Sequence, residues 1–220
     1  MMKQVDSIIF DLDGTLWDTC ASCAVAWNNV ILRHNLNFKE ITADDVRQVT
    51  GRPHEACIRD TFVGLPENQI QLLIEETIAE DNLVIEQMGA ELYEGVKDGI
   101  ILLAKERPLF IVSNCQSGYI ETFLKWSGLE EVFTDFECWG NTGKSKSENL
   151  ASVIRRNSLK MPIMVGDMES DLIAAKSCNT PFFHMTYGFG KVSECNQAFA
   201  SFSELVQLIL PQYRQNEVSV

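Results

Sequence analysis

An apolar run, Val5–Phe10, leads directly into two carboxylates, Asp11 and Asp13, before the chain turns at Gly14-Thr15. No other stretch constrains the fold as strongly. The run reads as a buried strand of a parallel sheet. In an extended chain, residues 11 and 13 share one face. Open α/β sheets hold their ligands beyond the carboxyl ends of their strands, which is where these acids fall. Gly14 turns the chain and lets a ligand approach the backbone.

Downstream of this strand the pattern becomes helical and stays so for about seventy residues. Residues 18–35 carry Val25, Val30 and Ile31 at helical spacing. Thr42-Ala43-Asp44-Asp45 reads as a helix start, with a capping threonine and early acids. Gly51-Arg52-Pro53 interrupts the chain, and a short helix is expected up to Phe62. Pro66 suits a first helical position, and Ile70, Leu73, Ile74 and Ile78 mark one face of a longer helix.

From residue 87 the character changes to alternating strands and helices. Strands are expected at Leu109–Val112, Phe133–Trp139, Ile163–Val165 and Phe182–Met185. Helices are expected at Gly95–Lys105, around Ile120–Leu124 up to Gly128, at Glu148–Arg156, up to about Cys178, and at Ser203–Leu210. Such alternation predicts an α/β fold, a Rossmann-like doubly wound parallel sheet. The expected organisation is a core from residues 1–16 and 87–220, with an inserted all-helical cap at 17–86. The polar tail after Pro211 is expected to fray.

Composition narrows the partners. The 220 residues carry a net charge of −13, with a pI near 4.6. A chain this acidic repels nucleic acid and anionic membranes, so neither is expected as a partner. A small anionic substrate is still compatible, because a metal and a few cations can dominate one site. Seven cysteines at irregular spacing read as reduced thiols in a cytoplasmic protein. Neither a signal peptide nor a membrane-spanning run is expected. A monomer or homodimer is expected.

Four segments could meet above the strand ends: Asp11–Thr15, Ser113-Asn114, the loop Gly140–Ser147 with Lys144, and Gly166-Asp167 with Asp171 four residues on. Together they supply what phosphoryl transfer needs. A carboxylate faces phosphorus, a second acid protonates the leaving oxygen, and a cation with neutral donors holds the phosphate oxygens. Asp11, Asp13 and Asp167 cannot crowd together without a cation, and their hard oxygens point to magnesium.

These segments resemble the signature motifs of the haloacid dehalogenase superfamily. The insertion resembles that superfamily's helical type-1 cap, and the whole pattern is closest to the phosphoglycolate phosphatase and β-phosphoglucomutase branch. The resemblance extends through Thr186-Tyr187-Gly188. It implies a Mg²⁺-dependent phosphatase acting on a small phosphorylated metabolite through an aspartyl phosphate. Asp11 would be the nucleophile and Asp13 the acid and base. Mg²⁺ would be held by the Asp11 carboxylate, the Asp13 carbonyl and Asp167. Asp171 would support the metal's waters or orient the lysine. Thr15, Ser113 and Asn114 would bind the substrate phosphate. Lys144 would be the catalytic lysine, with Lys146 in reserve. Relatives commonly have Lys-Pro-x-Pro there, whereas this chain has Lys144-Ser145-Lys146-Ser147, which blurs the register.

In the insertion, Arg52 is a candidate substrate ligand or a solvated charge. His54 is expected at the surface, and Trp17 and Trp27 are expected to pack the cap. A phosphomutase is the rival enzyme, and a phosphate-binding regulator without turnover is the rival of another class. Two other relatives fit less well. Haloacid dehalogenases lack the second aspartate, present here as Asp13. Phosphonatases need a cap lysine, and the insertion's lone lysine is Lys39, in an expected loop.

Overall fold

The computed structural model describes residues 5–211. In chain order, β1 (Ser7–Phe10) is followed by a short β2 (Trp17–Asp18) and four helices: α1 (Cys20–Arg33), α2 (Ala43–Arg47), α3 (His54–Thr61) and α4 (Glu67–Met88). The chain continues with β3 (Glu91–Leu92), α5 (Val96–Ala104), β4 (Leu109–Ser113), α6 (Tyr119–Ser127), β5 (Asp135–Cys138) and α7 (Trp139–Thr142). It closes with α8 (Lys146–Arg156), β6 (Pro162–Gly166), α9 (Glu169–Ser177), β7 (Phe182–Met185), β8 (Gln197–Phe199) and α10 (Phe202–Ile209).

Six strands form one sheet in the order β5-β4-β1-β6-β7-β8, and every pairing is parallel. The α/β expectation is met. β1 lies between β4 and β6, so the chain builds outward on one side of β1 and then crosses to the other. Such a reversal opens a crevice at the carboxyl ends of the central strands. Residues 11, 114 and 167 directly follow β1, β4 and β6.

The sheet is buried on both faces. Ile8 and Phe10 belong to one core cluster with Val96, Ile100, Phe123 and Phe202, from α5, α6 and α10. Ile9 points to the other face, with Leu150, Val153 and Leu172 from α8 and α9. Alternate residues of β1 thus enter opposite cores, as a pleated strand requires. At about 25 cal/mol per Å² of apolar surface removed from water, such burial is the main stabilising term.

β2 and β3 pair antiparallel, Trp17 opposite Leu92, and bracket the four helices between them. α1 and α4 pack on each other, and Trp27 meets Phe62 at a tilt, ring centroids 5.9 Å apart. Trp17 packs instead on Tyr119, Phe123 and Trp126 from the α6 region. Among the described residues, no helix is long and apolar enough to cross a membrane. The expectation for the chain end falls on residues 212–220, outside the described residues.

Candidate active site

Asp11 follows β1, and its backbone N–H donates to the Val165 carbonyl at 2.8 Å, which extends the strand ladder by one residue. The side chain is 2% exposed. Asp167 and Asp171 are fully buried beside it. Carboxylate oxygens of Asp11, Asp167 and Asp171 all lie within 4.8 Å of one another. Two glycines make room for them. Gly14 is left-handed at φ +81°, and a Cβ there would overlap Asp167 Oδ2. A Cβ on Gly166 would overlap the Asp171 carboxylate.

Lys146 is the cation of this group. Its Nζ donates to Asp11 Oδ1 at 2.7 Å and to Asp171 Oδ1 at 2.6 Å. Burial opposes its charge, but the Asp11 and Asp171 carboxylates outweigh this and hold its pKa up. Lys144, the lysine favoured from sequence, is exposed in the turn before α8. The reason lies in the helix start. Ser145 caps α8, and Glu148 reaches back to complete a capping box. That fixes Lys146 as the first helical residue, and its side chain enters the site.

Asp171 Oδ2 accepts from the backbone N–H groups of Asp167 at 3.1 Å and Met168 at 2.9 Å. With Lys146 on its other oxygen, Asp171 is a positioning group. Asp167 Oδ2 accepts from the Phe189 N–H at 2.7 Å and the Gly190 N–H at 3.3 Å. Burial pushes the Asp11 carboxyl well up, and the neighbouring Asp171 charge adds to it. Burial and the same neighbour push Asp167 up to about 7. Three buried acids with one lysine leave negative charge in excess, and the donors are all oxygen. The set therefore fits a hard divalent cation.

Asp13 stands apart from that cluster. Its Oδ1 accepts from the Tyr119 hydroxyl at 2.8 Å, with the Thr19 hydroxyl at 3.4 Å. Thr19 and Tyr119 are themselves 2.6 Å apart. Burial pushes the Asp13 carboxyl up to about 6, against the Tyr119 hydrogen bond. A carboxyl there can carry a proton near neutral pH, as a general acid must. Neither Thr19 nor Tyr119 was expected from sequence.

A cavity of about 50 Å³ opens over Asp11, Asp13, Ser113, Asn114 and Lys146. Its other wall comes from the helical segment and includes Trp27, Val46, Val49, Arg52, His54 and Asp81. Asn114 Nδ2 donates to the Gly51 carbonyl at 2.9 Å and ties the two walls together. Two sequence expectations need adjustment, those for Thr15 and His54, while Arg52 stays open between its two. Thr15 does not line the cavity: it is fully buried, and its hydroxyl faces Asp167 Oδ1 at 3.4 Å. Arg52 lines the rim but is half exposed and ion-paired to Asp60. His54 is 5% exposed, not a surface residue, because the first turn of α3 packs on α4.

A family model described as haloacid dehalogenase-like hydrolase matches residues 8–185. The chain belongs to the haloacid dehalogenase-like hydrolase family. Among curated relatives of this hydrolase, the phosphoglycolate phosphatase of Colwellia psychrerythraea is 26% identical, with 93% of this chain and 97% of the relative aligned. The phosphoglycolate phosphatase of Agrobacterium fabrum is 28% identical, over 84% of this chain and 82% of its own. Family and relatives make the chain a phosphatase-type hydrolase. A crystal structure described as a predicted phosphoglycolate phosphatase from Haemophilus somnus superposes with TM-score 0.82 at 19% identity, covering 94% and 99% of the two chains. CbbY from Rhodobacter sphaeroides, solved in complex with phosphate, superposes with TM-score 0.77 at 17% identity, covering 92% and 96%. Both structures share the fold of this haloacid dehalogenase-like hydrolase.

Proposed function

We propose that this hydrolase is a Mg²⁺-dependent phosphatase that cleaves a small phosphate monoester through an aspartyl phosphate on Asp11. One observation carries the reading: carboxylate oxygens of Asp11, Asp167 and Asp171 lie within 4.8 Å of one another, with Lys146 bound to Asp11 and Asp171, beside a cavity that Asp11 and Lys146 line. Uncatalysed monoester hydrolysis is slow enough that enzymes supply up to ~10²¹-fold acceleration. Covalent catalysis, a positioned acid and charge compensation together are the route this site offers.

Asp11 attacks phosphorus, and the bond to the leaving oxygen breaks. Lys146 favours the ionised form of Asp11 and orients it, with Asp171 holding the lysine in place. Asp13 gives its proton to the leaving oxygen. It then takes one from the water that cleaves the aspartyl phosphate, which regenerates Asp11 and releases phosphate. Tyr119 and Thr19 aim the Asp13 carboxyl. The Ser113 hydroxyl and the Asn114 N–H hold non-bridging oxygens. A bound Mg²⁺, held by Asp11, Asp167 and the Asp13 carbonyl, would offset the repulsion between carboxylate and phosphate.

Residues 17–86 act as a cap over this chemistry and exclude bulk water. The substrate is a small phosphorylated metabolite, the class named for the phosphoglycolate phosphatases it resembles. All seven cysteines are free and five are buried, which fits a reducing cytoplasm. Turnover of p-nitrophenyl phosphate with Mg²⁺, abolished in Asp11→Asn with the fold intact, tests the reading. Turnover retained in Asp11→Asn would end it.

A further inference from the structure

Between β7 and β8 the chain reads Gly188-Phe189-Gly190, and this tripeptide wraps Asp167. The Phe189 N–H donates to Asp167 Oδ2 at 2.7 Å and the Gly190 N–H at 3.3 Å. A Cβ on Gly188 would overlap the Asp167 side chain, and one on Gly190 would overlap the Asp167 carbonyl. The two glycines are what let the loop come this close. They also leave it with a single side chain to hold its shape, because glycine backbone has no preference of its own to fix it.

That side chain is the Phe189 ring. It lies against Gly14, where an added Cβ would meet Phe189 Cδ2 at 2.9 Å. The Arg47 guanidinium stands over the ring, 5.8 Å from its centroid. Arg47 belongs to the helical cap, at the end of α2, and is itself held. Its Nη2 donates to Asp18 Oδ2 at 3.0 Å and its Nη1 to Asp44 Oδ1 at 2.6 Å. Asp18 lies in β2, where the cap leaves the core. A second cap residue, Gly51, faces Met168 so closely that a Cβ there would meet Met168 Cε at 3.0 Å. The cap therefore bears on two segments that touch Asp167.

The geometry points to Arg47 and Phe189 as positioning residues for Asp167, through which the cap strengthens the divalent-cation site that it covers. This rests on the Mg²⁺ reading of that site. Asp167 lies beside Asp11 and Asp171, and repulsion among three buried acids favours swinging one of them away. Two N–H donors on one oxygen resist that swing and fix the direction of the other oxygen. The donors keep their aim while the Phe189 ring stays seated on Gly14. Arg47 over the ring face adds a cation–π attraction that holds it there. Both residues act through Asp167 and need touch neither cation nor substrate.

Calorimetric titration of Mg²⁺ into the intact, EDTA-stripped protein tests this without turnover. Arg47→Met keeps the aliphatic stem and removes the charge. Phe189→Leu keeps apolar bulk against Gly14 and removes the ring face. Each is expected to weaken Mg²⁺ binding about two- to fivefold, the range of one exposed cation–π contact. The double variant is expected to bind no more weakly than either single one, because both remove the same contact. Melts without Mg²⁺ verify folding, and Arg47→Met decides alone if Phe189→Leu does not fold. An unchanged Kd in folded Arg47→Met, or losses that multiply in the double variant, would overturn the inference and leave the Mg²⁺ reading standing. A wild type that binds no Mg²⁺ would overturn both.

Discussion

Lys146 donates to Asp11 across 2.7 Å, and both side chains are buried. Breaking such a pair by removing one partner costs about 3–5 kcal/mol where the other charge stays buried. Lys146→Met is therefore expected to lower kcat on the order of 10²–10³-fold and to depress the melting temperature. Lys144→Ala removes an exposed charge and should change kcat by no more than a factor of about two and stability by no more than about 0.5 kcal/mol. Steady-state kinetics and thermal melts of the two variants check this.

Tyr119 positions the Asp13 carboxyl through one hydrogen bond of 2.8 Å. A bond to a charged group contributes about 1.5–3 kcal/mol, so Tyr119→Phe should lose roughly 10–100-fold in kcat. KM should hardly move, because the hydroxyl serves the acid and not bound substrate. A loss confined to KM would assign Tyr119 to binding instead.

Excess negative charge among Asp11, Asp167 and Asp171 makes a divalent cation stabilising. Mg²⁺ at about 100 times its Kd should raise unfolding stability by roughly 2.7 kcal/mol. EDTA should remove both that increment and turnover. Asp167→Asn should abolish the increment while leaving the metal-free protein at least as stable as the wild type, since it deletes one of three crowded charges. Melts with and without Mg²⁺ provide the readout.

His54 gives a pH signature. Its pKa falls from 6.5 to about 4 on folding, by burial. The unfolded chain therefore binds a proton that the folded chain refuses, and stability is lost as pH falls from about 6.5 towards 4. At 1.36 kcal/mol per unit, the full loss is about 3 kcal/mol, of which roughly 2 falls between pH 7 and 5. The stability of His54→Gln should decline less over that range by the latter amount. Equal losses of unfolding free energy in wild type and His54→Gln between pH 7 and 5, read from denaturant titrations, would show that the ring is not buried neutral.

How far the sequence carried the argument differs from residue to residue. β1, β4 and β6 were legible because apolar runs end at them, and Asp11 and Asp167 were legible because acids follow those runs directly. The sequence favours Lys144 with Lys146 in reserve, whereas the structure places Lys146 on Asp11, and a signal for that position was present. Ser145-x-x-Glu148 is a capping box, and reading it would have started α8 at Lys146 instead of Glu148. Asp81 was also readable in principle. It falls on the stripe of α4 with Ile70, Leu73, Ile74, Thr77 and Val84, and an acid on a buried stripe needs a reason. Thr19 and Tyr119 had no such signal, since only the tertiary fold brings residues 13, 19 and 119 together. β8 was missed because a three-residue edge strand, Gln197–Phe199, carries too little pattern.

The account turns on Asp11 accepting the phosphoryl group. Rapid acid quench during turnover of a monoester, followed by peptide mass spectrometry, reads this directly. The account predicts one phosphoryl group on the peptide that carries Asp11, absent when Asp11→Asn is treated alike. Phosphate release at the wild-type rate from Asp11→Asn, or the label on any other side chain, would contradict it.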